Sequence, residues 1–264
     1  MTIHVLIACS KSKSSPPSND LIWQEQTTTQ EWSKLWERET KLTPAKELYI
    51  GRAFQQQLSL CLQYAETKPH ILSAGAGLIS DIELPIPSYE ATFQGGLGPK
   101  KEEWKKLPLG GLDKLQLKPE DVVISFAPPS YHQALLNDDI GLIAPQLIVP
   151  ETSPLANIAS STLPIHPRAK EVLGVADVDL NTAFLETYLS EGFDGFIKIK
   201  SNCDSLPPPV IRRKVSDDEL LEIVRKASNC KTLDDLVRHL RDDLRIAASQ
   251  ERISEAKNHH SKGE

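Results

Sequence analysis

The residues best placed to do chemistry follow a short apolar run. Ile3 to Ala8 gives way at once to Cys9, Ser10, Lys11, Ser12 and Lys13. Small hydroxyls and lysines after a strand make a polar, electropositive floor suited to a phosphate, a carboxylate or a nucleobase. On such a floor Lys13 can act as an anion clamp, or as a nucleophile where desolvation lowers the ammonium pKa. Cys9 has two lysines close by in sequence, surroundings that favour a nucleophilic thiol. Two further apolar runs end on Ser73-Ala-Gly-Ala-Gly77 and on Phe126-Ala-Pro-Pro-Ser-Tyr-His132. Ser73 offers a hydroxyl, Gly75 and Gly77 permit a close approach of backbone to ligand, and His132 is a candidate acid or base. Asp81, Glu83, Tyr89 and Glu90 follow the second run, and among them Tyr89 is the candidate ligand contact. Each residue also has a plainer reading, with Cys9 a small strand residue, the lysines solvated and His132 a surface side chain.

The elements that must position these groups are legible from periodicity. Ile3–Ala8, His70–Ala74, Asp121–Phe126 and Gln146–Val149 read as parallel strands, and Gly195–Lys200 alternates as a last one. Trp32 and Trp36, one helical turn apart, predict a short helix. Thr43-Pro44 predicts the start of a helix from 44 to about 66. Further helices are expected over Ser130 to about Asn137 and Asn181–Glu191. Strands alternating with helices define an α/β fold with a mainly parallel sheet in three layers. In such sheets ligands bind beyond the carboxyl ends of the strands. Three strands ending on reactive or small residues therefore argue for one crevice. Neither a Walker loop nor a complete dinucleotide fingerprint is present.

At 264 residues with a net charge of −6, the chain has no overall basic character, so any nucleic-acid contact must be local. The four cysteines lie far apart without C-x-x-C spacing, which argues against a zinc site and points to a reducing, cytoplasmic setting. No apolar run approaches membrane-spanning length. The expected division is an α/β domain over 1–200 and a Pro-rich linker over 201–215 carrying Pro207-Pro-Pro209. A helical bundle over 216–258 and a frayed tail over 259–264 complete it. In the bundle, Ser216 to Glu219 and Thr232 to Asp235 read as capping boxes, and a third helix is expected from Ile246 to about Lys257.

The order of motifs resembles a known family. Cys-Ser-Lys-Ser-Lys13, Ala45-Lys-Glu-Leu-Tyr-Ile-Gly-Arg-Ala-Phe54, Ile71-Leu-Ser-Ala-Gly-Ala-Gly-Leu-Ile79 and Pro87-Ser-Tyr-Glu-Ala-Thr-Phe93 are similar to the motifs of YaaA-like bacterial proteins. The resemblance covers about the first half of the chain. Family members are often named for peroxide stress, so a stress-response role is implied by name alone. A second likeness is to the archaeosine synthases, whose Pro-Cys-x3-Lys-Pro-Tyr-x2-Ser-x2-His motif sits on a domain resembling uracil-DNA glycosylases. Cys9, Lys13 and Ser18 fall on its Cys, Lys and Ser, while Ala8, Ser14, Ser15 and Leu21 replace its prolines, Tyr and His. This likeness implies a Cys-x3-Lys floor in a nucleobase-type pocket, with Lys13 in a catalytic role and Ser18 at the motif's Ser; Ser10 and Ser12 are ligand-binding candidates as hydroxyls of the same floor.

The C-terminal trio resembles a helix-turn-helix. Gln250, Arg252 and Lys257 on its last segment are the types that read bases and phosphates. Asp234, Asp235, Asp242, Asp243, Glu251 and Glu255 dilute that patch, so a bundle that docks a partner protein or a second copy is the competing expectation. The functions carried forward are an enzyme acting on a nucleobase or modified base at a Cys-x3-Lys pocket, and a non-catalytic nucleic-acid-binding stress or defence protein. No pattern specifies a cofactor.

Overall fold

The computed structural model describes residues 1–208, 212–227, 229–230 and 232–261, without the side chains of 260 and 261. The chain divides into two compact units, Met1–Ser205 and Leu206–Glu264. No described helix is long and apolar enough to cross a membrane.

In chain order the first unit contains β1 (Ile3–Ala8), α1 (Thr29–Arg38), β2 (Leu42–Pro44), α2 (Ala45–Leu48), α3 (Arg52–Gln63), β3 (Thr67–Ser73), β4 (Gly77–Ile79) and β5 (Pro85–Pro87). It continues with β6 (Val122–Ser125), α4 (Pro129–Leu136), α5 (Ile140–Ile143), β7 (Gln146–Pro150), β8 (Ser161–Leu163), α6 (Ala169–Leu173) and α7 (Leu180–Asp204). Six strands form one sheet in the order β4-β3-β1-β6-β7-β8, parallel except for the β3–β4 hairpin. This is the mainly parallel, three-layer α/β architecture that the alternation of elements predicts. The central strands are mainly apolar because both faces are covered: Val5, Leu6, Ile7, Ile71, Leu72, Val123 and Ile124 are all buried, with His4, His70 and Ser125 as buried polar exceptions. From β1 the chain passes to β3 on one side, and after β4 it returns to place β6 on the other side of β1. The carboxyl ends of β1, β3 and β6 therefore open at a topological switch point.

Two expectations are corrected. The strand expected over Gly195–Lys200 is the second half of α7, which breaks only at Gly192 (φ 61°). Its apparent alternation conceals a helical period: Phe196, Ile199 and Cys203 are buried, whereas Ile197 is 49% exposed. Gly195 is packed so closely on Thr187 that a Cβ there would lie 2.5 Å from Thr187 Cγ2. The sheet gains β4 and β8 instead, each too short to announce itself by period. The single helix expected from 44 to 66 is divided into α2 and α3, for a reason that bears on the site.

The second unit contains β9 (Arg213–Lys214), α8 (Asp217–Lys226), α9 (Leu233–Arg238), β10 (Ile246–Ala247) and α10 (Gln250–Ser261). Ser216 and Thr232 cap α8 and α9 as expected, Thr232 within a full capping box with Asp235. Ile246 does not begin the third helix. It pairs with Arg213 in a short parallel ladder, and the helix starts at Gln250 and runs to Ser261, through part of the segment expected to fray. Residues 262–264 and Pro209 of the proline run lie outside the described residues. Residues 201–204, expected in the linker, belong to α7.

Each unit has its own core, one centred on Leu6, Ile71 and Ile124 and the other on Leu220, Leu240 and Ile253. Limited proteolysis is accordingly expected to cut first between 205 and 216 and to leave a stable N-terminal fragment. A first cut within 44–150 would contradict this division.

Candidate functional site

The site starts where β1 stops. The Cys9 amide still donates to the Leu72 carbonyl (2.8 Å), which continues the pairing with β3 for one residue. The chain then turns, and the Ser12 amide donates to Ser10 Oγ (3.0 Å). Residues 12–14 next run antiparallel to 48–50. The Ile50 amide donates to the Ser12 carbonyl (3.1 Å), the Ser14 amide donates to the Leu48 carbonyl (2.9 Å), and Lys13 is bridged to Tyr49. These bonds engage backbone groups that a continuous helix would use internally, and so separate α2 from α3. Ser10 packs on Gly51, where any Cβ would collide with the serine hydroxyl.

Tyr89 is the hub beneath Lys13. Its ring is 1% exposed and packs against Trp36 (centroids 5.3 Å apart) and edge-on to Trp32 (6.2 Å). Its hydroxyl bonds to that of Tyr49 (2.6 Å) and to Ser73 Oγ. Ser73 Oγ also accepts from the Gly75 (3.2 Å) and Ala76 (2.9 Å) amides. With its lone pairs occupied in this way, Ser73 donates its proton to Tyr89. Burial raises both phenol pKa values, which keeps them neutral donors. The turn behind them is fixed by two indoles, Trp32 Nε1 donating to the Gly75 carbonyl (2.6 Å) and Trp104 Nε1 to the Ser73 carbonyl (2.7 Å).

Lys13 Nζ stands 4.5 Å from the Tyr89 ring centroid and 5.8 Å from that of Tyr49. A cation held on an aromatic face gains roughly 0.5–2 kcal/mol. Desolvation works against the charge and lowers the Lys13 pKa, and Cys9 and Glu90 only partly oppose that shift. None of the described carboxylates lies within ion-pairing distance of Lys13. The amine instead faces a cavity of about 430 Å³, within the size range of small-ligand sites. Lys11, Lys13, Ser12 and Thr92 give the cavity polar edges, Glu90 a carboxylate, and Pro16, Pro17 and Leu97 flat apolar walls.

The other sequence-derived candidates are distributed as follows. Ser12, Lys13 and Tyr89 line the cavity, whereas Ser73 and Gly75 support it from behind. Cys9 is half-buried, its Sγ 3.3 Å from Tyr131 Oη, and bridges the ends of β1 and α4. Ser18 flanks the cavity segment without lining it, and its hydroxyl helps hold the Glu39 carboxyl below the usual range, after the Lys41 amide. Gly77 (φ 93°) serves the β3–β4 turn, where a Cβ would strike the Gly110 carbonyl. His132 lies away from the cavity, 2% exposed, with Nε2 3.0 Å from Ser125 Oγ and Nδ1 2.7 Å from Ser153 Oγ. Since Ser125 reaches the Leu6 carbonyl and Ser153 accepts from the Leu155 amide, the consistent tautomer carries its proton on Nε2. In the second unit Arg252 is engaged within the fold, donating to Asp217 (2.8 Å) and the Val215 carbonyl (2.9 Å). Gln250 is exposed at the start of α10, and Lys257 lies near Asp235, whose carboxyl Thr232 chiefly holds down.

Sequence reasoning placed Lys11 in the polar floor but assigned no site role to Tyr49, Tyr131 or the proline wall. The one signal for Tyr49 was its place in the Ala45–Phe54 motif. No family model, curated protein or solved structure matches this chain.

Two predictions follow from this packing. Burial lowers the pKa of His132 to about 4 and that of His70 to about 3, from 6.5. Between those values and 6.5 the unfolded chain binds more protons than the folded one. The stabilisation is therefore complete above pH 6.5 and is lost as the pH falls towards 4, at a cost on the order of 3 kcal/mol for His132 alone. Urea midpoints measured against pH should show this slope, and His132→Gln should make it shallower. Gly75→Ala would set a Cβ 2.5 Å from the Tyr89 ring and should cost about 1–3 kcal/mol in denaturation.

Proposed function

We propose that the Lys13 cavity binds a small anionic ligand of the nucleobase or nucleotide type, and that the chain is a YaaA-like protein acting on such a ligand. One observation carries the reading: a desolvated amine, with none of the described carboxylates in ion-pairing range, faces a cavity with a second lysine and flat apolar walls. An anion on Lys11 and Lys13 would offset the desolvation, and proline and leucine surfaces suit a planar ring. The family reading draws support from convergence. The first motif supplies Lys13, the second Tyr49, the third Ser73 and Gly75, and the fourth Tyr89, and these residues contact one another. A reading in which α10 recognises nucleic acid has less support, because Arg252 is bound to Asp217.

The test is direct binding of a panel of nucleotides and 7-deazaguanines to wild type, Lys13→Ala and Lys13→Arg. Lys13→Ala should lose affinity by about tenfold to a hundredfold, the worth of a charge-assisted hydrogen bond. Lys13→Arg should recover part of it. A clamp needs the ammonium, so affinity should fall as pH rises through the lowered Lys13 pKa. Equal binding by wild type and Lys13→Ala would place the ligand elsewhere.

A further inference from the structure

The placement of Lys13 allows more than a clamp. Its nitrogen is held on the Tyr89 face at the cavity wall, the backbone beneath it is fixed by the ladder to Tyr49, and no described carboxylate is paired with it. Glu90 lines the same cavity and can exchange protons there, while Lys11 supplies a second cation. We propose that Lys13 is an imine-forming lysine, whose substrate is an aldehyde or ketone carried on an anionic ligand. The proposal rests on the reading above that the cavity takes an anion.

The step balances without any added oxidant or reductant. Unprotonated Lys13 attacks the carbonyl carbon with its lone pair as the C=O π bond breaks, and the proton released by the nitrogen, cationic after attack, passes through the Glu90 carboxylate to the oxygen to give a carbinolamine. A proton from solvent, relayed by Glu90, then reaches that hydroxyl, which leaves as water, and the nitrogen lone pair forms the C=N bond of a protonated imine. The ring beneath keeps the nitrogen in place in both charge states. Lys11 holds the ligand's anionic group and takes no part in the bond changes. Desolvation raises the share of Lys13 in its reactive, unprotonated form, as the direction of its pKa shift requires. The groups that face it and set this balance are Cys9, Glu90, Lys11, Tyr49 and Tyr89.

The experiment uses the full chain with pyridoxal 5′-phosphate as probe, since it joins an aldehyde, a planar ring and a phosphate. Imine formation is followed by absorbance, the imine is reduced with borohydride, and the labelled lysine is found by peptide mass mapping. The expected result is label concentrated on Lys13, lost in both Lys13→Ala and Lys13→Arg, and formed more slowly in Glu90→Gln. Labelling of Lys13 should also begin at lower pH than that of the other lysines. Lys13→Arg serves as the second variant because it keeps the cation and guards against a folding defect. Label spread over the other lysines, with Lys13 no higher than the rest, would overturn the proposal. If nucleotides then still bind and Lys13→Ala weakens them, only the imine step fails; if they do not bind either, the anion reading fails with it.

Discussion

The first unit is organised around the burial of one phenol. Tyr89 is enclosed by Trp32 and Trp36, its hydroxyl is bonded to Tyr49 and Ser73, and its face carries Lys13. A buried hydroxyl without partners would cost several kilocalories per mole on transfer from water, roughly 2–7 kcal/mol. The surroundings are therefore constrained to supply them. Ser73 must end its strand with its hydroxyl aimed at Tyr89, the 75–76 amides must turn towards Ser73, and Gly75 must lack a Cβ. Tyr49 must leave the helix to reach the same hydroxyl, and in leaving it meets the strand-like segment that holds Lys13. The cavity floor and the split between α2 and α3 are two consequences of this one requirement.

The electrostatics of the cavity follow from that enclosure. The aromatic floor excludes water from one side of Lys13 and offers attraction to the cation in return. Neutral phenols, kept protonated by burial, add dipoles without adding charge. Desolvation favours loss of the proton while the aromatic face favours the cation, so a bound anion would tip the amine towards its charged form. The buried imidazoles behave differently. His132 has both nitrogens satisfied by serine hydroxyls and does not line the cavity; it joins the end of β6 to the loop after β7.

The sequence by itself determined the class of fold, because buried parallel strands require largely apolar runs, and Ile3–Ala8 (interrupted only by His4), Ile71–Leu72 and Val122–Ile124 supply them. It also marked the carboxyl edge of the sheet, where small, hydroxyl and cationic residues end three of those runs. Ser216 and Thr232 located two helix starts, since capping is a local hydrogen bond. It did not determine whether Gly195–Lys200 was strand or helix, because a six-residue apolar alternation fits both periods and only the packing of Phe196 and Ile199 selects one. Nor could it join Tyr49 to Tyr89, or separate His132 from Lys13. Those relations depend on which strand lies beside β1 and on what a buried hydroxyl finds within about 3 Å of itself. Hydrogen-bond satisfaction between residues tens of positions apart is a property of the assembled core, and only the tertiary structure decided it.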